Sequence, residues 1–325
     1  MFDFNVEKTN TSEFDSYDLW DMLVVGGGPA GLNAALYAKR KGLKVGIITD
    51  EIGGQLHNTT DVDNYLGFSL VKGPELSQSF LDHVNNLDIP ILKGVKVKTI
   101  IHSDPDFALQ LTDGKQVNTK TLIIATGGAP KKLDIPGEKA LSNKGVTYCA
   151  TCDAPFFKDK HVIVAGGGNS AAEGVLDLVS FARKITVVHR SKWRADKVLL
   201  DKLNAIDKLT VHLESQLVKV LGDDHVTGVE YLDKKSGEIK QIDAEGLLIE
   251  IGNVPKSDFV KDLVKTNEAG EVLVDENNMT SIRGLYAAGD IVAQPHKQII
   301  ISVADGAKAA LAASQYLNSN YKENK

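Results

Sequence analysis

Two cysteines are all that the chain holds, and they stand three apart in Cys149-Ala150-Thr151-Cys152, with Asp153 directly after. The thiolate is the nucleophile and the metal ligand, and a Cys-x-x-Cys pair closes a small, reducible disulfide ring. Three kinds of chemistry use such a pair. A structural disulfide gains little here, because so short a loop removes little chain entropy. A zinc half-site needs two further ligands, and with no second cysteine pair only His189 and His296 could be brought in. A redox dithiol needs nothing else, so the motif favours it and no metal site is expected. Asp153 could give or take a proton during the exchange or cap a helix N-terminus, and the two roles are compatible.

Two glycine-rich turns flank the pair in sequence. The first is Gly26-Gly27-Gly28-Pro29-Ala30-Gly31, entered from an apolar run at 21–25 and left through Ala34, Ala35 and Ala38 at helical spacing. Strand, glycine turn and helix in that order make a phosphate cradle. Gly26 permits the tight turn, Gly28 lets a pyrophosphate approach the backbone, and Gly31 lets the helix pack on the strand. The helix N-terminus then offers free N–H groups and its dipole to the anion. The second turn, Gly166-Gly167-Gly168-Asn169-Ser170-Ala171, repeats the arrangement about 140 residues later, after an apolar strand at 162–164.

About 20 residues past each turn, where such a fold reads the adenosine ribose, the two units differ. After the first come Asp50 and Glu51, either of which could hold a ribose hydroxyl or be a loop acid. After the second comes His189-Arg190-Ser191-Lys192-Trp193-Arg194. A basic segment there suits a 2′-phosphate, and so NADPH over NADH, although a solvated basic turn is the plainer reading.

The elements that must position these residues follow from the apolar runs. Strands are expected at 44–49, 91–101, 108–111, 116–118 and 121–124, the last running into Ala125-Thr126-Gly127. A helix at 74–86 begins on a proline. Gly53-Gly54-Gln55 opens a polar loop with Asn58, Thr59, Thr60 and Asn64, suited to a flavin or to nothing in particular. A strand at 185–188 leads to the basic turn, the runs 209–213, 216–220 and 226–231 read as a meander, and 246–251 runs into Gly252. A strand ending in Gly289-Asp290 puts a carboxylate at a sheet edge, and Lys297-Gln298 precedes an amphipathic helix at 301–317. Prolines at 130, 136 and 255 mark crossings between domains.

Composition sets limits. A chain of 325 residues suggests two domains, at roughly 100–200 residues each. Its 42% hydrophobic and 25% charged residues are ordinary for a globular protein, and a net charge of −6 speaks against nucleic acid or an anionic membrane. No apolar run reaches the roughly 18 residues a membrane span needs. Residues 1–19 form a polar, acidic tail without the basic and apolar regions of a signal peptide. A reducing, cytoplasmic location is expected, where a cysteine pair is catalytic more often than structural.

Together these motifs resemble the low-molecular-weight bacterial thioredoxin reductases. The likeness is carried by GGGPAG (26–31), GGQ with Asn64, ATG (125–127), CATCD (149–153), GGGNSA (166–171), AAGD (287–290) and KQI (297–299). DVDNY (61–65) and KQIII (297–301) look more like the flavoprotein component of alkyl hydroperoxide reductase. That component normally carries an extra N-terminal redox domain, and only about 19 residues precede the first strand here.

The resemblance implies an α/β fold of two Rossmann-like dinucleotide-binding domains. A nucleotide domain at 130–255, carrying the cysteine pair, would be inserted into an FAD domain split between 20–129 and 256–325. FAD would lie on Gly26, Gly28, Pro29, Ala30 and Gly31, with Asp50, Gly54, Gln55, Asn64, Thr126, Gly127, Gly289, Asp290, Lys297, Gln298 and Ile299 around it. NADPH, or NADH, would lie on Gly166, Gly168, Asn169, Ser170, Ala171 and Gly252, with His189, Arg190 and Arg194 at its 2′-phosphate. The family pattern there is His-Arg-Arg-x-x-x-Arg, and Ser191 stands in place of the second arginine. Cys152 would face the flavin, Cys149 would attack a partner disulfide, and Asp153 would be the acid. The implied activity is NADPH-dependent reduction of a thioredoxin or thioredoxin/glutaredoxin-like protein by a cytoplasmic homodimer. The alternatives are an NADH-preferring reductase of a peroxiredoxin-system dithiol protein and a flavin dithiol oxidase. If nicotinamide and disulfide use the same flavin face, the inserted domain must rotate about the crossings near 129–133 and 252–255.

Overall fold

The structure is a computed structural model that describes residues 14, 17–59 and 61–321. Most of the expected acidic tail, Thr60, the side chain of Asn58 and residues 322–325 lie outside the described residues. The chain divides into two compact units, Met1–Ala129 with Val254–Lys325, and Pro130–Asn253.

The first unit is organised on the strand Trp20–Gly27. It pairs in parallel with Val45–Ile52 on one side and Gln116–Ile124 on the other. Ile91–Lys93 extends one edge in parallel, and Leu285–Ala287 pairs in parallel with the end of Gln116–Ile124. Asp106–Leu111 and Val97–Ser103 complete the seven-stranded sheet in antiparallel fashion. A parallel sheet is covered on both faces, so alternate side chains of the central strand serve two cores. Leu23 and Val25 join Phe107, Leu109 and Leu285. Met22 and Val24 join Ala34, Ala35 and Ala38 of the helix Pro29–Arg40 and Ala309, Ala310 and Ala313 of the helix Ile299–Asn320. Alanine and glycine let these two helices touch, and a Cβ on Gly306 would stand 2.1 Å from the Ala30 carbonyl oxygen.

Three sequence expectations change here. The runs 116–118 and 121–124 are one strand. Its polar middle is tolerated because the Thr119 and Thr121 hydroxyls donate to the Trp20 and Asp21 carbonyls at 3.3 and 2.7 Å. The strand expected at 44–49 runs on to Ile52, so Asp50 and Glu51 belong to it, both exposed where its register shifts. Phe14, read as tail, is buried, with its ring 4.9 Å from that of Trp20.

The second unit holds a five-stranded parallel sheet ordered Val146–Thr147, Gly246–Ile249, His161–Ala165, Lys184–Val188 and Leu209–His212. Beside it lies an antiparallel sheet of Ser215–Leu221, Gly228–Asp233 and Glu238–Asp243. The meander is therefore displaced by one strand from its expected position. The run at 209–213 joins the parallel sheet, and the true third strand, Glu238–Asp243, packs only the half-buried Ile242 on the core and so carries a weak apolar signal. The helices Ala150–Asp153 and Lys197–Leu203 were not anticipated. The crossings Gly128–Pro130 and Asn253–Pro255 pair as a two-stranded ribbon. Among the described residues no helix is long and apolar enough to cross a membrane.

Candidate functional site

The first unit builds a cradle around the turn at 26–31. Gly26 has φ +122°, and a Cβ there would stand 2.2 Å from the Ala125 carbonyl oxygen. Gly31 packs its helix on the strand, since a Cβ there would stand 1.9 Å from the Gly26 oxygen. Gly28 differs: nothing lies within 4 Å of a Cβ built on it. It precedes the helix Pro29–Arg40, whose first turn has no side-chain cap and no acidic residue. Space, unpaired N–H groups and a positive dipole end together suit a phosphate. A Cβ on Gly54 would come within 3.5 Å of Gly28 Cα, which brings the loop of Gln55 over the turn.

Asp290 closes the other side. Its carboxylate accepts from Gln55 Nε2 at 2.7 Å and from Ser302 Oγ at 3.1 Å. Burial pushes this carboxyl above the ordinary carboxylate range, against Ser302, Lys297 and Gln55, which favour the charged form. Lys297 donates to the Asp290 carbonyl at 3.1 Å and is ion-paired with Glu271 at 2.9 Å, both side chains largely enclosed. Asn64 Nδ2 donates to Gln298 Oε1 at 3.4 Å. Gln298 is the residue before the helix that opens at Ile299, and Gly289 N–H is held by buried Asp305 at 3.4 Å. The expected residues Gly54, Gln55, Asn64, Gly289, Asp290, Lys297 and Gln298 thus form one connected set with the glycine turn. Pro29 and Ala30 open its helix, and Gly127 holds φ +68°.

Two expected residues are engaged otherwise. Thr126 Oγ1 donates to the Lys256 carbonyl at 2.8 Å. Asp50 is ion-paired with Lys96 at 2.9 Å on the sheet edge, while the Glu51 carbonyl is the group that packs against Gly27. Ser302, Asp305 and Glu271 escaped sequence reasoning. Ser302 and Asp305, three apart at the start of a helix, share one face, and that spacing was the available signal.

The second unit repeats the cradle. A Cβ on Gly166, φ +151°, would stand 2.2 Å from the Glu250 carbonyl oxygen, whereas one on Gly168 meets nothing within 4 Å. Asn169 and Ser170 begin the helix Asn169–Val179, with Ala171 buried beneath. Asn169 bonds twice to Asp196, through its Nδ2 to the carboxylate and its Oδ1 to the N–H, both at 2.8 Å. Arg194 N–H donates to Gly167 O at 2.7 Å, which folds the basic segment back onto the turn. Arg190 and Arg194 are exposed there, and Lys234 Nζ bonds the Arg190 carbonyl at 3.0 Å. His189 is buried, with its ring against Gly167 and Nε2 within 3.0 Å of Ser191 Oγ. Burial, then Arg194 and Arg190, hold its pKa below the ordinary histidine value. His189 therefore packs beneath the turn. The strand expected at 246–251 ends at Ile249, and Gly252, φ +104°, lies beyond it beside Lys131.

Cys149 and Cys152 are joined as a disulfide, with Cα atoms 5.3 Å apart. Cys149 caps the one-turn helix Ala150–Asp153, its Sγ accepting from Cys152 N at 3.2 Å. Asp153 makes no cap. Its carboxylate accepts a short hydrogen bond from Thr147 Oγ1, which in turn accepts from Cys149 N–H at 3.2 Å. Thr147 thus links the acid to the backbone of the first cysteine.

Known proteins resemble this chain in sequence and in fold. The sequence model of the family described as pyridine nucleotide-disulphide oxidoreductase matches residues 20–313. The F component of alkyl hydroperoxide reductase from Staphylococcus aureus is 40% identical over 312 residues, 96% of this chain and 62% of that protein. The Staphylococcus epidermidis protein of the same name is 39% identical over the same span. The chain thus spans 62% of the length of these curated relatives. Among solved structures, thioredoxin reductase from Streptococcus pyogenes is 37% identical with a TM-score of 0.88, over 93% of this chain and 99% of that one. Thioredoxin reductase from Giardia duodenalis is 32% identical with a TM-score of 0.87, over 93% and 100%.

Proposed function

The chain belongs to the pyridine nucleotide-disulphide oxidoreductase family, and from that premise we propose that it carries electrons from NAD(P)H through FAD to the Cys149–Cys152 disulfide and on to a thioredoxin-like protein. The observation that carries the reading is the disulfide itself, held on a short helix in the same compact unit as the second phosphate cradle. The residues present fit both cofactors: each cradle has one glycine, Gly28 or Gly168, with open space where a Cβ would be, beside an uncapped helix N-terminus. FAD, when bound, supplies a relay between two-electron hydride transfer and two-electron disulfide reduction.

Gly28 and the Pro29 helix bind the FAD pyrophosphate, and Gln55, Asp290, Asn64 and Gln298 orient the ribityl chain and ring. Gly168 and Asn169 bind the nicotinamide nucleotide, with Arg190 and Arg194 exposed for its adenosine end. Asp50 is ion-paired with Lys96, so Glu51 is the acid we assign to the FAD ribose. Cys149 attacks the partner disulfide after reduction of the pair, and Asp153 returns a proton to the departing sulfur through its place beside Thr147.

A second reading has its own support. Ser191 turns its hydroxyl to His189 and offers no cation, and the curated relatives are components of alkyl hydroperoxide reductase. Both favour an NADH-preferring reductase serving a peroxiredoxin-system dithiol protein. Turnover with NADPH and NADH, against the organism's own thioredoxins and small dithiol proteins, decides between them. Cys149→Ser and Cys152→Ser are each expected to retain nicotinamide-driven flavin bleaching and to lose protein-disulfide reduction. Reduction at the wild-type rate by either variant refutes the relay.

A further inference from the structure

Between the cysteines, Ala150 and Thr151 rest on two carboxyl groups that the proposed electron path leaves unused. Glu250 follows the strand Gly246–Ile249, and its N–H donates to Ala165 O at 2.8 Å, so its side chain starts at the end of the parallel sheet. A Cβ built on Gly174 would lie 3.5 Å from Glu250 Cγ and 3.4 Å from Ala150 Cβ. The Glu250 side chain therefore lies between the helix Asn169–Val179 and the first turn of the cysteine helix, where the Ala150 N–H bonds its carboxylate. Next to it, Thr151 Oγ1 donates to Asp177 at 3.2 Å.

The charged groups facing Glu250 from the helix Asn169–Val179 are Asp177 and Glu173. The cysteine helix also carries Asp153, which is bonded to Thr147, and Lys131 of the crossing lies beside Gly252. Burial, with Asp177 and Glu173, pushes the Glu250 carboxyl up to about 7, against the Ala150 N–H. A carboxyl that titrates at neutrality beside sulfurs that gain and lose charge is coupled to them, and the coupling is reciprocal.

We propose that Glu250 stores the proton given up when the reduced Cys149–Cys152 pair forms its thiolate. The reductant is a two-electron donor, a reduced flavin or a small dithiol. Reduction breaks the S–S bond and takes up two electrons and two protons. One proton ends on one sulfur, the other on Glu250, and the second sulfur remains a thiolate. Disulfide plus carboxylate carried one negative charge before, and thiol, thiolate and carboxylic acid carry one after. Without Glu250 the thiolate would add a charge beside Asp177 and Glu173. Glu250 acts on the sulfurs through charge rather than contact, so it is a positioning residue.

The test equilibrates holoenzyme with reduced and oxidised dithiothreitol from about pH 7 to 8, below the ordinary thiol pKa of about 8.5. The reduced fraction of the pair is read by acid quench, alkylation and mass, and the flavin by absorbance. In the wild type the two protons leaving dithiothreitol are both taken up, so the exchange constant is expected to change by less than about twofold per pH unit. Glu250→Gln keeps an oxygen for the Ala150 N–H but holds no proton. Its exchange releases one proton, and the constant should rise about tenfold per pH unit. The same pH dependence in both proteins overturns the proposal. An independent reading needs no variant: the infrared difference spectrum of the wild type on reduction should gain a protonated-carboxyl carbonyl band, and its absence overturns the proposal. The inference rests on the pair cycling between disulfide and dithiol. A holoenzyme pair that dithiothreitol never reduces would overturn that underlying reading as well, whereas a reducible pair with unchanged pH dependence overturns the role of Glu250 alone.

Discussion

Substituting alanine at Gly28 and at Gly31 should separate binding from folding within one turn. Gly28 has φ −81° and ψ −178°, a conformation any residue adopts, and a Cβ there meets nothing within 4 Å. The lost freedom of the unfolded chain stabilises Gly28→Ala by about 0.4–1 kcal/mol, and the poorer helix cap offsets about half a kcal/mol of that. Apoprotein stability should therefore barely move. Gly31→Ala is different, because its Cβ would stand 1.9 Å from the Gly26 carbonyl oxygen and 2.9 Å from the Gly26 carbonyl carbon. Backbone must yield on both sides, at a cost of about 1–3 kcal/mol or more. For the cofactor the order reverses. A methyl group on Gly28 occupies the approach to the amides of the helix N-terminus, and each charge-assisted hydrogen bond lost is worth about 1.5–3 kcal/mol. The Kd for FAD should rise about 10- to 100-fold. The assay is FAD titration of apoprotein by fluorescence quenching beside thermal melts of the same samples. Gly28→Ala with a wild-type Kd, or with an apoprotein as unstable as Gly31→Ala, would refute the assignment of Gly28 to the phosphate.

Three further outcomes are expected. Arg190→Ala and Arg194→Ala should each lower kcat/KM for NADPH about 10- to 100-fold and leave NADH unchanged, and equal losses for both would make the arginines structural. Glu250, with its pKa raised to about 7, contributes stability that is present below the ordinary glutamate range and lost as pH rises through about 7. That loss amounts to about 3 kcal/mol, so denaturant unfolding of the second unit should weaken between about pH 5 and 8 in the wild type but not in Glu250→Gln. A parallel decline in both would remove Glu250 as its cause. Ser302→Ala should raise the Kd for FAD severalfold through Asp290, and an unchanged Kd would show that Gln55 and Lys297 suffice to orient that carboxylate.

What the sequence disclosed was chemistry fixed by local backbone. Gly26 and Gly31 must be glycine because carbonyl oxygens crowd them, and a Cys-x-x-Cys pair is in disulfide reach by spacing alone. What it hid depends on tertiary placement. Asp50 and Glu51 are neighbours in sequence, but only the fold brings Lys96 to Asp50 as its ion-pair partner. Glu238–Asp243 is a strand held by backbone pairing to Gly228–Asp233 with only Ile242 half-buried, so hydrophobic periodicity is too weak to find it. Glu250 reads as a charged end to an apolar run. Only the packing of Gly174 and Ala150 places it against the cysteine helix.

The parallel pairing of Gln116–Ile124 with Leu285–Ala287 bears on how the molecule is made. A ribosome delivers the N-terminal end first, and the first unit then lacks one strand and the helix Ile299–Asn320 that covers Met22 and Val24. The unit Pro130–Asn253 is continuous and can close its own sheets before the rest emerges. The nascent first unit must wait with an open strand edge at Leu122, Ile123 and Ile124, where long loop closure makes pairing slow. Pulse-labelled hydrogen exchange during refolding should therefore protect Val162–Val164 before Leu122–Ile124. The interval between them is when the chain is open to wrong partners, and it is set by where the insertion falls rather than by the stability of either unit.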